Sequence, residues 1–227
     1  MPTIHSVDVW RISLLVDDAP LREILGTEER DKASRFRFDG DRRRYTVAHA
    51  ALRMILSDYT STAAARLEFS TGPHGKPRLM GAEDVEFNLS HSGDLALLAV
   101  TRGALVGIDV EQYQRIERGL PAIERHLSLL ERNELAAMPA DQNQAALALL
   151  WVCKEAWIKA TGEGLSRPLH SFDISIAGPE PRLLATRPLD EQANGWLLAQ
   201  LSTPGPYMAA VAVKAPEIAI RMHDWSF

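Results

Sequence analysis

Hydrophobic residues recur along this chain with two different periods, and the switches between them mark its elements. Val47, Ala48, Ala51, Leu52 and Ile55 fall at helical spacing and bury one face of a helix predicted over residues 44–59. Val85, Phe87 and Leu89 alternate as in a strand, and residues 95–100 form a second apolar run, with a tight hairpin expected over residues 90–94. Leu105, Val106, Ile108 and Val110 then surround Asp109 and Glu111, a buried-strand composition. No helix breaker falls between residues 144 and 161, and Gly162 supplies a stop signal. Further strands are expected near residues 172–176, 196–201 and 207–213.

Two polar helices complete the pattern. Glu28, Glu29 and Arg30 open the first, and Ser128-Leu129-Leu130-Glu131 is a capping-box signature for the second. The chain therefore repeats itself loosely: a polar helix, a longer helix, then strands, twice over. Arg102-Gly103-Ala104 is a plausible joint, dividing an N-terminal subdomain, residues 1–103, from a C-terminal one, residues 104–227. The fold class is α/β (α+β).

Composition narrows the functional classes. With 227 residues, 46% hydrophobic and 24% charged, the chain has the make-up of an ordinary globular protein with a substantial core. No apolar run approaches membrane-spanning length, and residues 1–6 carry no basic, apolar signal pattern, so neither a membrane role nor export is expected. Cys153, the only cysteine, excludes an intrachain disulfide; its neighbours Trp151 and Val152 suggest a packed thiol in a reducing cytoplasm. A net charge of −5 argues against nucleic acid as a partner. Positive charge is nevertheless concentrated between Arg30 and Arg44, where seven cations stand against Asp31, Asp39 and Asp41. Such a local patch suits a small anionic ligand, although most of these arginines equally read as a solvated helix surface.

The chemistry lies in two stretches some forty residues apart. In Gly107-Ile108-Asp109-Val110-Glu111 the two acids are two apart on a strand and emerge on one face. In Trp151-Val152-Cys153-Lys154-Glu155-Ala156-Trp157-Ile158-Lys159 the acid Glu155 and Lys159 are four apart and share a helix face. Converging carboxylates beside a lysine would make a hard oxygen site for magnesium, with a cation left for a phosphate. Taken singly, each motif also reads as a solvated helix pair or the wet face of a strand. Ser90 and His91 invite a hydrolase reading, but adjacent strand residues point to opposite sides, and no Gly-x-Ser-x-Gly elbow occurs.

Taken together, Gly-Ile-Asp-Val-Glu followed by Trp-x-x-Lys-Glu-Ala-x-x-Lys-x-x-Gly-x-Gly-Leu (residues 107–111 and 151–165) resembles the 4′-phosphopantetheinyl transferases, in particular their larger, Sfp-like class. The loop Gly72-Pro73-His74-Gly75-Lys76-Pro77 and the segment Asn88-Leu89-Ser90-His91-Ser92 resemble two further motifs of that family, in the same order. The resemblance implies two similar subdomains related by a pseudo-twofold axis, with the active site in the cleft between them. It implies transfer of the phosphopantetheine arm of coenzyme A to a serine of an apo acyl or peptidyl carrier protein, with release of adenosine 3′,5′-bisphosphate. Asp109, Glu111 and Glu155 would hold Mg2+ (or Mn2+), with Glu155 and Lys159 catalytic. Lys32, Arg44, Lys76, Ser90, His91, Asp109 and Lys159 would bind coenzyme A. Glu29 stands where some relatives carry a second lysine, so fewer phosphate contacts are expected there. The family also implies a cytoplasmic monomer serving fatty-acid, polyketide or nonribosomal peptide synthesis. An acidic carrier helix would suit a groove between residues 112 and 127, where Arg115, Arg118 and Arg125 alternate with Ile116, Leu120 and Ile123; a solvated connecting helix is the other reading. Another magnesium-dependent phosphotransferase, or a non-catalytic module binding coenzyme A or a carrier, remain as alternatives.

Overall fold

In the computed structural model, which describes residues 5–188 and 194–227, the chain opens with β1 (His5–Ser13), α1 (Thr27–Ser34) and α2 (Asp39–Asp58). Strands β2 (Phe69–Thr71), β3 (Pro77–Leu79), β4 (Val85–Ser92), β5 (Leu95–Arg102) and β6 (Val106–Gln112) follow. Helices α3 (Tyr113–His126), α4 (Leu129–Ala136) and α5 (Ala140–Thr161) lead into β7 (Phe172–Ser175), β8 (Arg182–Thr186), β9 (Trp196–Gln200), β10 (Tyr207–Lys214) and β11 (Ile218–Trp225).

Side-chain alternation in β5 and β10 sets the layering. Ala96, Leu98 and Val100 of β5 pack with Val47, Ala51 and Ile55 of α2. Leu95, Leu97 and Ala99 point the other way and meet Ile108, Val110, Val211 and Val213. Met208, Ala210 and Ala212 of β10 face α5, packing with Ala148, Val152, Ala156 and Trp157. The order of layers is therefore α2, a sheet β11-β1-β5-β4, a second sheet β6-β10-β9, and α5. Each buried Val, Leu or Ile contributes roughly 1.5–3 kcal/mol, so the fold rests on these three apolar contacts.

The periodic helices and the strands of the interior stand where their patterns put them. Strands β1 and β11 are not among the expected ones. Strand β1 sends Val7 and Val9 to the core between the sheets and Ile12 to the core under α2, and β11 lies beside it in parallel, His5 opposite Ile218 through Ile12 opposite Trp225. Asp8 accepts from Arg221 (2.9 Å) and pairs with His223 (2.9 Å) across that join. The last strand of the chain thus belongs to the sheet of the first half.

A second difference bears on the site. Strand β4 continues through His91 and Ser92, which pairs with Leu95, so the hairpin loop is Gly93 and Asp94 alone. His91 is a strand residue rather than a turn residue.

Helix α5 is pinned by a buried ion pair. The capping box at Ser128 forms as its sequence predicts, with Glu131 bonding back to the Ser128 amide (2.8 Å). Glu131 also pairs with Lys154, both fully buried, and Lys154 donates to the Phe172 carbonyl (2.9 Å) above that residue's ring. Removing either partner would strand a buried charge at a cost of about 3–5 kcal/mol. Cys153 is buried as expected, and burial pushes its thiol far above the ordinary range.

Candidate active site

The sheets meet along the edge strands β4 and β6, which share no backbone ladder. Side chains bridge them instead. Asn88 Oδ1 accepts from the Ile108 amide (2.8 Å), Ser90 Oγ from Val110 (3.4 Å) and Ser92 Oγ from Gln112 (3.1 Å). Alternation places these three small polar residues on one face of β4, each satisfying a β6 amide that would otherwise be orphaned.

The functional side chains hang from this seam. In β6, Val106, Ile108 and Val110 fill the inter-sheet core, so Asp109 and Glu111 both point toward α5, as their spacing predicts. Helix α5 comes unusually close. A Cβ on Gly107 would lie 2.1 Å from the Ala156 carbonyl oxygen and 2.3 Å from the Ala160 nitrogen, so only glycine fits. Glu155 and Lys159 flank that contact. A cleft of about 430 Å3 results, lined by Leu89, Ser90, His91, Asp109, Glu111, Trp151, Glu155 and Lys159.

Within it Lys159 Nζ donates to Asp109 Oδ1 (2.6 Å) and to Ser90 Oγ (2.9 Å), and Ser90 Oγ donates to Asp109 Oδ1 (2.9 Å). Ser92 holds Glu111 through Oε2 (2.6 Å). Burial raises the Glu155 carboxyl above its usual range, and the charges of Asp109 and Glu111 add to the rise. Glu111 is raised for the same first reason, with Ser92 and Arg115 opposing. Asp109 Oδ2 is buried without a hydrogen-bond partner. Desolvated, mutually repelling carboxylates with an unsatisfied oxygen suit a hard divalent cation. Among the described residues, however, no three His, Cys, Asp or Glu side chains form a ready-made metal cluster. The three carboxylates share a cleft without closing a cage. Such an open arrangement fits a magnesium-type ion, which is held by one or two carboxylates and completed by waters and substrate phosphates.

His91 faces the same cleft from the other side. Desolvation lowers its pKa, and its neighbours His49, Lys159, Arg115 and Arg44 lower it further.

Of the residues expected to bind coenzyme A, the structure brings Ser90, His91, Asp109 and Lys159 together and leaves three elsewhere. Lys32 is exposed on α1, its ammonium over the Tyr45 ring. Arg44 is tied to Asp94 of the hairpin (2.9 Å) and to Asp41 (3.1 Å). Lys76 is not among the residues that line the cleft. Its side chain is only 9% exposed, and its ammonium donates to the carbonyls of Val106 and Ala160 (3.0 Å each) and approaches Glu86 (3.4 Å). In this arrangement the ammonium is engaged by two carbonyls and a carboxylate. Glu29 turns inward to His49 (3.0 Å), Arg53 and the Gly26 amide (2.9 Å).

Trp151 escaped notice as a site residue because its place in the motif suggested only an anchor. It separates the cleft from a second, larger groove of about 740 Å3, with Glu111 on the same boundary. That groove lies along α3. Arg115, Ile116 and Ile123 line it as expected, whereas Arg118 and Arg125 are not on its wall, and the side chain of Leu120 lies outside the described residues.

Three carboxylates, a lysine and a histidine around one cleft, with an apolar groove alongside, are the kind of set that enzymes of phosphoryl-linked group transfer use. Comparison with known proteins gives the family. The model of the 4′-phosphopantetheinyl transferase superfamily matches residues 105–212, and a 4′-phosphopantetheinyl transferase N-terminal model matches residues 19–103. The 4′-phosphopantetheinyl transferase HetI of Nostoc is 35% identical, over 91% of this chain and 87% of its own. The transferase psf-1 of Bacillus pumilus is 34% identical, over 88% and 83%. Sfp of Bacillus subtilis is 32% identical, over 67% and 66%. A holo-(acyl-carrier-protein) synthase of Bacillus anthracis, solved with coenzyme A, matches 48% of this chain and 94% of its own at 23% identity and a TM-score of 0.40. The chain belongs to the 4′-phosphopantetheinyl transferase superfamily.

Proposed function

We propose that the cleft between β4, β6 and α5 transfers the 4′-phosphopantetheine arm of coenzyme A to a serine hydroxyl of an apo acyl or peptidyl carrier protein. The observation that carries this reading is the set Asp109, Glu111, Glu155 and Lys159 lining one cleft with His91 opposite. The serine oxygen forms a bond to the phosphorus that bears the pantetheine, and the bond from that phosphorus to the leaving adenosine 3′,5′-bisphosphate breaks. Glu155, raised in pKa by its surroundings, is the base for the serine proton. Lys159 places its charge beside the transferred phosphate, and His91 holds the 3′-phosphate of the nucleotide. Asp109, Glu111 and Glu155 would hold Mg2+, or Mn2+, which supplies charge neutralisation on the pyrophosphate when bound.

The apolar groove beside Trp151, with Arg115 and Arg167 on its walls, suits an acidic carrier helix and the pantetheine arm. The long helix packed on antiparallel strands in each half supports the pseudo-twofold reading, with halves meeting near residue 103. No helix among the described residues is long and apolar enough to cross a membrane; the family resemblance is what supports a cytoplasmic monomer acting in fatty-acid, polyketide or nonribosomal peptide synthesis. The test is mass spectrometry of an apo-carrier incubated with coenzyme A and magnesium: one phosphopantetheine should be added, and nothing in excess chelator or with Asp109→Ala. Modification that persists undiminished in chelator would remove the metal from the scheme.

A further inference from the structure

Three chain segments that carry the active-site side chains converge on a single ammonium. Lys76 reaches from the loop before β3, with its stem along the end of α5. Its Nζ donates to the Ala160 carbonyl, one residue beyond Lys159, and to the Val106 carbonyl, three residues before Asp109. It also pairs with Glu86 of β4, the strand of Ser90 and His91. The Ala160 carbonyl belongs to the last turn of α5, where carbonyls lack intrahelical donors and the helix dipole favours a cation. Gly162 makes room for this approach. Its left-handed conformation (φ 73°) ends the helix, and a Cβ there would meet Lys76 Cδ at 3.3 Å. Burial lowers the Lys76 pKa while Glu86 opposes the shift, as for a charge retained by its partners.

We propose that Lys76 is a positioning residue: it clamps the C-terminal turn of α5 to the start of β6 and thereby holds Lys159 at hydrogen-bonding distance from Asp109, without touching substrate phosphate. This rests on the phosphopantetheinyl-transfer reading of the cleft. The 3.0 Å bonds to Ala160 and Val106 tie the end of the helix to the start of the strand through one side chain donated by the other half of the molecule. A loose clamp lets Lys159 drift, and misplacement on the scale of 1 Å can slow chemistry roughly 100-fold.

The test compares wild type, Lys76→Met and Lys76→Gln in three measurements. Single-turnover transfer to a saturating apo-carrier should fall roughly 10–100-fold in Lys76→Met, while the dissociation constant for adenosine 3′,5′-bisphosphate stays within about twofold. In a Lys159→Ala background the further loss on adding Lys76→Met should nearly vanish, because the two residues act through one contact. A residue that merely supported the fold would give additive losses. Hydrogen exchange read by mass spectrometry should show lost protection in peptides covering residues 106–112 and 156–162, with β1 and α2 unchanged. Lys76→Gln, which keeps an amide donor, serves where the Met variant does not fold. Weakened nucleotide binding with an unchanged single-turnover rate would make Lys76 a phosphate contact and overturn the proposal, as would additivity with Lys159→Ala. The exchange measurement needs no turnover, so an inactive wild type would refute the transferase reading while still deciding whether Lys76 is the clamp.

Discussion

Gly107→Ala is the smallest change that tests whether the helix–strand distance controls catalysis. The added methyl would sit 2.1 Å from the Ala156 oxygen, 2.3 Å from the Ala160 nitrogen and 2.8 Å from the Ala160 Cα, whereas ordinary contacts begin near 3.4 Å. All three obstacles are backbone, so no side chain can swing aside, and α5 must retreat by about 1 Å. The helix resists on both sides, through Lys154, Glu131 and Phe172 on its outer face and Lys76 at its end. Overpacking of this kind costs about 1–3 kcal/mol. The catalytic cost is separable. A retreat of about 1 Å stretches the 2.6 Å contact from Lys159 to Asp109 beyond hydrogen-bonding range. The expected loss is roughly 100-fold in single-turnover rate, or about 2.7 kcal/mol of barrier. Binding of adenosine 3′,5′-bisphosphate, which draws on His91 in the first half, should change by less than about threefold. Thermal melting, calorimetric binding and quenched single turnovers separate the three quantities. An alanine variant with the wild-type rate and melting temperature would refute the argument that close approach of α5 to β6 sets the active-site geometry.

Lys159→Ala should lower the single-turnover rate roughly 10²–10³-fold, as loss of one preorganised electrostatic donor does; a change of stability alone, with the rate kept, would reduce it to a helix-surface lysine. His91→Ala should weaken coenzyme A more than dephospho-coenzyme A, narrowing the preference between them, and competition binding with the two nucleotides reads this directly. Glu29 sits in burial that disfavours its charge, yet bonds from His49, the Gly26 amide and Arg53 bring its pKa down to about 2 from 4.5. A depressed carboxylate stabilises the fold fully above the unfolded value and loses that contribution as pH falls toward the folded one. The stability gap between wild type and Glu29→Gln in denaturant melts should therefore hold at about 3 kcal/mol from pH 7 to 5 and close between pH 4.5 and 2. A gap that stayed constant across that range would detach it from the Glu29 charge.

What could be read from the sequence was whatever repeats locally. Apolar spacing located α2, α5 and the strands around Asp109, and the spacing of acids and lysine put Asp109, Glu111, Glu155 and Lys159 on facing surfaces. What could not be read depends on partners far along the chain. Strand β11 meets β1 some 213 positions away; Ile218, Ile220 and Met222 alternate with Ala219, Arg221 and His223, but nothing local names the strand they pair with. Lys76, met in a Gly/Pro loop, looked like a free cation. Its acceptors are backbone carbonyls 30 and 84 positions distant, and a carbonyl leaves no mark on sequence. His91 falls in the strand rather than the turn, since Gly93 and Asp94 alone, rather than the whole Ser-His-Ser-Gly run, make the turn. One further signal was present and unused: Asn88, Ser90 and Ser92, small polar residues at strand period.

That alternation explains why the active site lies where it does. Had β4 and β6 paired through their backbones, the two sheets would have joined into one, with neighbouring strands about 4.8 Å apart. There would have been no seam to open into a cleft. Bridging by side chains keeps the β6 amides satisfied while leaving the strands free to diverge, which is the condition for placing ionisable groups between them. The same residues then act twice. Ser90 accepts from the Val110 amide while it donates to Asp109 and accepts from Lys159; Ser92 accepts from the Gln112 amide while it donates to Glu111. Two of the cleft's carboxylates are thus oriented by the hydroxyls that hold the halves together. A change in how the halves sit is transmitted to Asp109 and Glu111 through a single side chain each. The seam and the site are one structure, and the sequence encodes both in six alternating residues, Asn88, Ser90 and Ser92 facing Gly107, Asp109 and Glu111.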